Sequence, residues 1–312
     1  MKNKITLILF LVFTSFVFAQ QEAMFTHYMF NTLGVNPGYA GSRDALTITG
    51  IHRSQWVGFD GAPVTQTLTM HSPIYHEELG AGFSIINDKA GPVSVTSFYG
   101  DIAYKMKVSE VSKLSFGLKT GLNFMQTGLT SLNVNDQTDF SFQNNIRSRV
   151  LPNFGFGLYY SSPRFYAGIS SPRILQNYFD NNKVVGGNKL RSEQRHYFFI
   201  IGNVIDLSPE FQLKPTAYLK ATSGAPLEAD ITGTIIYENQ FWGGLMFRTG
   251  DAFGVLAGIN ITNQLGVGYS FDWSFGLQTG KYNGGSHEIM LRYDFIFKEE
   301  EKIRSPRSEE HT

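Results

Sequence analysis

Lys113–Gln126 reads KLSFGLKTGLNFMQ, and the alternation within it decides the fold. Leu114, Phe116, Leu118, Leu122 and Phe124 fall on one side of an extended chain, because successive side chains of a strand point to opposite faces. Ser115, Gly117, Lys119, Gly121 and Asn123 fall on the other. A strand of a soluble sandwich alternates too, but its polar face looks at water and is usually charged and short. Here the run is at least about ten residues long, enough to cross a hydrocarbon layer at a tilt. Its aromatic-rich face suits lipid, and its small-residue face suits a lumen.

The pattern recurs from Ala45 onward. Strands are predicted near residues 45–56, 63–72, 78–88, 95–107, 112–127, 150–161, 164–170, 194–206, 209–221, 227–238, 240–250, 252–262, 263–274 and 286–297, about fourteen in all. Phe154, Phe156, Leu158 and Tyr160 oppose Gly155, Gly157 and Tyr159; in 63–72, Val64, Gln66, Leu68 and Met70 oppose a row of threonines. The connections give a second pattern. Those near 108–111, 161–163, 207–208, 238–240 and 262–264 are short, whereas the long ones, 128–149, 171–193 and 275–285, fall at the other end of the strands. Short periplasmic turns and longer external loops are the habit of outer-membrane barrels. An even strand count places both termini on the periplasmic side. The last strand, with Ile289, Leu291, Tyr293, Phe295 and Phe297 on one face, can close the sheet, and closure is required because an unpaired edge is not tolerated in lipid. The expected fold is therefore an all-β, transmembrane antiparallel β-barrel of about fourteen strands, with a soluble all-β protein as the alternative.

Lys2 and Lys4 precede an apolar run from Ile5 to Phe18, with Val17 and Ala19 at the small-residue cleavage positions. The expected organisation is a signal peptide over 1–19, an N-terminal periplasmic or plug segment over 20–44, the barrel over 45–297, and a charged, disordered periplasmic tail over 298–312. No later stretch approaches eighteen continuous apolar residues, so helical spans are not expected. The 312 residues carry a formal net charge of +0 and only 17% charged residues, which gives no basic field for nucleic acid. The absence of cysteine excludes disulfides and thiol chemistry.

Few residues invite a chemical reading. His71 and His76 flank Pro73, and His52 lies in the preceding strand, but no acid sits at ligand spacing; polar residues at membrane-interface turns are the simpler reading. No G-x-S-x-G elbow marks a nucleophile, and no glycine pair opens a helix to cradle phosphate. No catalytic, metal or cofactor residue is assigned. On the lumen side Lys105, Lys119 and Arg248 look few and scattered, too sparse for the charged constriction of a conducting porin. Were the lumen wet and open, an arginine at Gly117 would be tolerated. The connection RSQWVGFDGAP, Arg53–Pro63, combines aromatics with an Arg/Asp pair, and Arg53, Trp56, Phe59 and Asp60 are the candidate partner-binding residues. An interfacial tryptophan followed by an ordinary turn is the other reading.

The blocks MFNTLGVNPGYAGS (Met29–Ser42), RSQWVGFDGAP, DKAGP (Asp88–Pro92), LPNFGFGLYY (Leu151–Tyr160), YAGISSPRIL (Tyr166–Leu175), LKPTAYLKATSGAP (Leu213–Pro226), LGVGYSFD (Leu265–Asp272) and GSHEIMLRY (Gly285–Tyr293) together resemble the PorP/SprF family of type IX secretion outer-membrane proteins. The resemblance departs at Gly38, where the family usually shows alanine. It implies an outer-membrane accessory barrel that assists export or surface attachment of a large secreted protein or gliding adhesin in Bacteroidota-type cells. The implied partners are outer-membrane lipid, other type IX secretion subunits including periplasmic peptidoglycan-linked ones, and a secreted protein with a C-terminal sorting domain. A passive porin or hydrophobic-solute transporter is the competing function, and an outer-membrane lipase a third.

Overall fold

In a computed structural model of the chain, residues 24–75, 78–128, 130, 149–177, 194–223, 225–275 and 284–296 are described. The leader expected over 1–19, the tail expected over 298–312, His76, and much of the three long connections lie outside the described residues.

The strands form one closed antiparallel β-barrel of fourteen strands. They are β1 (Leu46–Ser54), β2 (Val64–Tyr75), β3 (Leu79–Ala90), β4 (Val93–Lys107), β5 (Lys113–Thr127), β6 (Arg149–Ser161), β7 (Phe165–Ser171), β8 (His196–Asn203), β9 (Phe211–Thr222), β10 (Glu228–Tyr237), β11 (Phe241–Arg248), β12 (Ala252–Asn260), β13 (Leu265–Ser274) and β14 (Ser286–Phe295). After a break at Val204, Ile205–Asp206 continues β8 and pairs with β9. Each strand pairs with its chain neighbours, and β1 closes on β14 in a register running from Leu46↔Phe295 to Ser54↔His287. The expected strand bounds hold to within about three residues.

The faces follow from parity. On β5, Phe116, Leu118 and Leu122 are exposed outward, while Ser115, Lys119 and Asn123 are buried inward. Thr120 joins the outward face between two leucines. On β2 the threonines Thr65, Thr67 and Thr69 point in with His71, and Leu68 and Met70 point out. The outward face continues around the barrel through Ile102, Phe154, Ile231, Leu245, Phe253 and Ile289, more than half of each side chain's surface exposed in most cases, as a lipid-facing belt requires.

The buried core lies inside the barrel. Residues 24–44 run through the lumen and include two short 3₁₀ turns, Thr32–Gly34 and Pro37–Tyr39. Their path has a direction. Thr26 meets Asp272 and Glu288, near the end of the strands that carries the long connections; Arg43 meets Asp294, near the end with the short turns. We call these the loop end and the turn end. The even strand count puts the start of β1 and the finish of β14 at the turn end, but the segment before β1 doubles back, so Met24 lies toward the loop end. Both termini themselves lie outside the described residues.

Two glycines of the wall exist because backbone passes where a side chain would be. A Cβ on Gly117 would lie 2.1 Å from the amide nitrogen of Gly38, and one on Gly80 would lie 2.1 Å from the carbonyl oxygen of Ala40. The expectation that arginine at Gly117 would be tolerated is therefore corrected, since the lumen there is filled by the chain itself.

Substitutions on the two faces of β5 should fail differently. Leu118→Arg puts a cation into the hydrocarbon at a cost of about 2–4 kcal/mol and is expected to reduce the amount of inserted, heat-modifiable barrel in membranes. Gly117→Arg is expected to insert but to unfold at a lower temperature on gel-shift melting, because the 36–38 segment must leave its seat. Equal insertion of Leu118→Arg and wild type would contradict the assignment of faces.

Candidate functional site

The lumen segment is held by groups of both signs taken out of water. At the loop end, Glu288 of β14 accepts from the backbone amides of Thr26 (2.9 Å) and His27 (2.7 Å), and the His27 ring Nδ1 lies 2.7 Å from its Oε1. Arg53 of β1 bridges Glu288 (3.1 Å) and Asp272 of β13 (2.7 Å). The Thr26 hydroxyl donates to Asp272 at 2.7 Å. Next to this, Arg248 of β11 binds Asp230 of β10 through Nε and Nη2 and reaches Asp251 and Asp272 at 3.4 and 3.9 Å. Arg53, Arg248, Asp272 and Glu288 are all at most 2% exposed. Charges so placed need full pairing, since breaking one such pair leaves an uncompensated buried charge costing about 3–5 kcal/mol.

The middle of the segment is sorted by chemistry. Tyr28 stacks on Tyr218 at 4.8 Å, and Phe30 lies 4.6 Å from Trp242, both on inward rings of β9 and β11. On the opposite wall, Asn31 bonds Thr67 and Thr69 of β2, and Lys119 of β5 donates to the carbonyl of Leu33 while paired with Asp101 of β4 at 2.9 Å. Toward the turn end Lys105 donates to the carbonyl of Gly41, whose amide donates to His71 Nδ1. Asn36 caps Gly38 and donates to the carbonyl of Leu158. Rings of the segment thus meet rings of the wall, and its polar groups meet hydroxyl, amide and ammonium groups.

The four candidate partner-binding residues do not stay together. Arg53 belongs to β1 and points inward to Glu288 and Asp272, so the expected Arg53–Asp60 pairing is corrected. Trp56, Phe59 and Asp60 remain in the first connection at the loop end. That loop is clamped on both sides by backbone bonds: Gln55 to Pro63, Val57 with Gly285 and Gly284, and Gly91 to Gly61. Trp56 takes a left-handed backbone (φ 47°), with its amide on the Ser286 hydroxyl at 3.1 Å. Val57 and Phe59 stand out at 42% and 49% exposure. Beside them a cleft of about 370 Å³ is lined by Gln55, Val57, Phe59, Asp60 and Lys89.

Two other expectations change. His52 faces outward, bonded to Ser54 and Gln66, while His71 faces the lumen, so they cannot share a ligand; His71 supports the lumen segment rather than an interfacial turn. Lys119 and Arg248 are not scattered lumen charges but halves of buried pairs. Their partners, and the roles of Asp272 and Glu288, were missed by sequence reasoning. The available signal was parity: Asp101, Asp230, Asp272 and Glu288 all sit at inward positions of apolar strands, where ionisable residues are costly and mark a function. Among the described residues no group of three His, Cys, Asp or Glu is placed to hold a metal ion.

A family model described as "Type IX secretion system membrane protein PorP/SprF" matches residues 17–293. No curated protein matches the chain. Among solved structures, the CymD monoaromatic hydrocarbon channel superposes with a TM-score of 0.51 at 11% identity, covering 86% of this chain and 92% of that one. The outer membrane protein Omp33 of Acinetobacter baumannii gives 0.44 at 9% identity, covering 81% and 98%. At such identities the likeness with CymD speaks to the fold alone, a membrane β-barrel resembling outer-membrane proteins.

Removing one carboxylate tests the anchor. Glu288→Ala leaves Arg53 and His27 facing each other without it, and is expected to lower the temperature at which the heat-modifiable band converts. Arg164→Ala at the exposed Arg164–Asp206 pair, where such pairs contribute about 0–1 kcal/mol, is expected to leave that temperature nearly unchanged.

Proposed function

Since the chain belongs to the PorP/SprF family of type IX secretion system membrane proteins, we propose that it is an accessory barrel of that apparatus, assisting export or surface attachment of a large secreted protein through its loop end. The observation that carries this reading is the filled lumen. Residues 24–44 run through it, bonded to buried wall carboxylates and stacked on wall rings, which does not suit a passive porin, whose lumen must stay open to solute. A barrel whose lumen holds its own chain is better employed as a membrane-held binding surface. The first connection offers one: Val57 and Phe59 supply exposed apolar area on a backbone already fixed by its neighbours, so little ordering entropy is lost on binding.

In this reading the loop end faces the cell exterior and meets the exported protein, a substrate with a C-terminal sorting domain. The turn end faces the periplasm and the peptidoglycan-linked parts of the machinery. No catalytic role is assigned. The competing reading, a porin or hydrophobic-solute transporter, predicts steady open-channel currents in a planar bilayer.

Trp56→Ala combined with Phe59→Ala is expected to leave barrel abundance and gel shift intact while reducing substrate on the cell surface, since truncating an aromatic anchor commonly costs about 2 kcal/mol or more in binding. Normal delivery from a normal barrel would remove this loop from the function. For orientation, Asp60→Cys is expected to react with a membrane-impermeant thiol reagent on intact cells and Glu210→Cys, at a short turn, is not. The native chain offers no competing thiol. The reverse labelling would invert the barrel.

A further inference from the structure

We propose that the turn end of the lumen carries a binding site for a phosphate monoester, a small dianion with an apolar or aromatic moiety. The site is a cavity of about 230 Å³ between the lumen segment and the wall, at the opposite end from the loop surface and independent of it. Three cations line it: Arg43 of the lumen segment, Lys214 of β9 and Arg292 of β14. The acid that meets the two arginines is Asp294, which accepts from Arg43 at 2.8 Å and from the Thr47 hydroxyl at 2.7 Å, with Arg292 Nε at 3.4 Å. One carboxylate against three cations leaves two positive charges uncompensated, the complement of a phosphate monoester in its doubly charged form.

Lys214 is the informative member. Among the described residues it has no hydrogen bond or ion pair; its ammonium stands over the rings of Phe30 at 5.5 Å and Tyr166 at 5.4 Å. Its charged neighbours are Arg43 and Arg292, both of its own sign. Elsewhere in the lumen the strand cations Arg53, Lys119, Lys220 and Arg248 are each paired with a carboxylate. A cation held among like charges inside a barrel is costly unless an anion joins it. The Ser42 hydroxyl, buried on the same cavity, also lacks a partner among the described residues and can donate to an oxyanion. The rest of the lining is aromatic, with Tyr39 set edge-on to Tyr159 at 5.2 Å, and gives the organic part of an ester a face to lie against.

The test is calorimetric titration of the full-length protein in detergent at low salt with phenyl phosphate, inorganic phosphate and benzoate. Phenyl phosphate is expected to bind saturably at one site, more tightly than inorganic phosphate. Benzoate, with the same ring but one charge, is expected to bind about tenfold more weakly or worse. Lys214→Gln, which removes no ion pair, is expected to lose about tenfold or more in phenyl phosphate affinity. Heat-modifiable migration is the control for its fold, and Arg43→Gln, a partly exposed side chain, serves if Lys214→Gln does not fold. Absence of saturable binding, equal binding of benzoate or of inorganic phosphate, or unchanged affinity in the folded variants would overturn the assignment.

Discussion

Every backbone amide and carbonyl of a strand in lipid must be paired with another strand, and the sheet must therefore close on itself. Here the closing seam is β1 against β14, and it determines more than the wall. Because side chains alternate, a slip of β14 by one residue would turn Glu288 into the hydrocarbon and Leu291 into the lumen, leaving Arg53 without its partner. The observed register places Arg53 opposite Glu288 across that seam, both facing inward, with Asp272 on the adjoining strand within 2.7 Å of the arginine. The one place where the barrel must join is also where its lumen segment is anchored.

What fills the lumen then depends on the chemistry that closure turns inward. A barrel of this size leaves more interior than its own side chains can pack, and residues 24–44 complete the core. They do so by matching, ring to ring against β9 and β11, and amide to hydroxyl against β2. The wall yields where backbone rather than side chain approaches, at Gly80 and Gly117. Buried ion pairs in such a setting are poor evidence for net stability, since desolvation consumes much of the attraction, but they are strong evidence for a single arrangement, because each charge tolerates only the position of its partner.

The same filling bears on function. To clear the lumen, the 24–44 segment would have to give up Glu288, Asp272 and the stacked rings together, whereas binding at either end requires no such change. The two ends differ in what they offer: exposed apolar area on a braced loop at one, and at the other a cavity whose cations outnumber its acids.

The sequence by itself determined the wall. Period-two alternation in KLSFGLKTGLNFMQ and its counterparts, together with the parity of short and long connections, specified fourteen tilted strands, their faces and the closing strand, because these properties depend on residues two apart or on the next turn. It could not determine what the inward residues meet. Arg53 and Glu288, more than two hundred residues apart, meet only across the closing seam, and Lys119 finds the carbonyl of Leu33 only because the lumen segment passes it; alternation says only that each points inward. For the same reason Arg53 looked like a neighbour of Asp60 when closure had given it to Glu288, and Gly117 looked free when Gly38 already occupied its space. Local periodicity sets the direction of a side chain; only the closed barrel, by bringing distant strands within a few ångströms in a medium that leaves no charge unpaired cheaply, sets its partner.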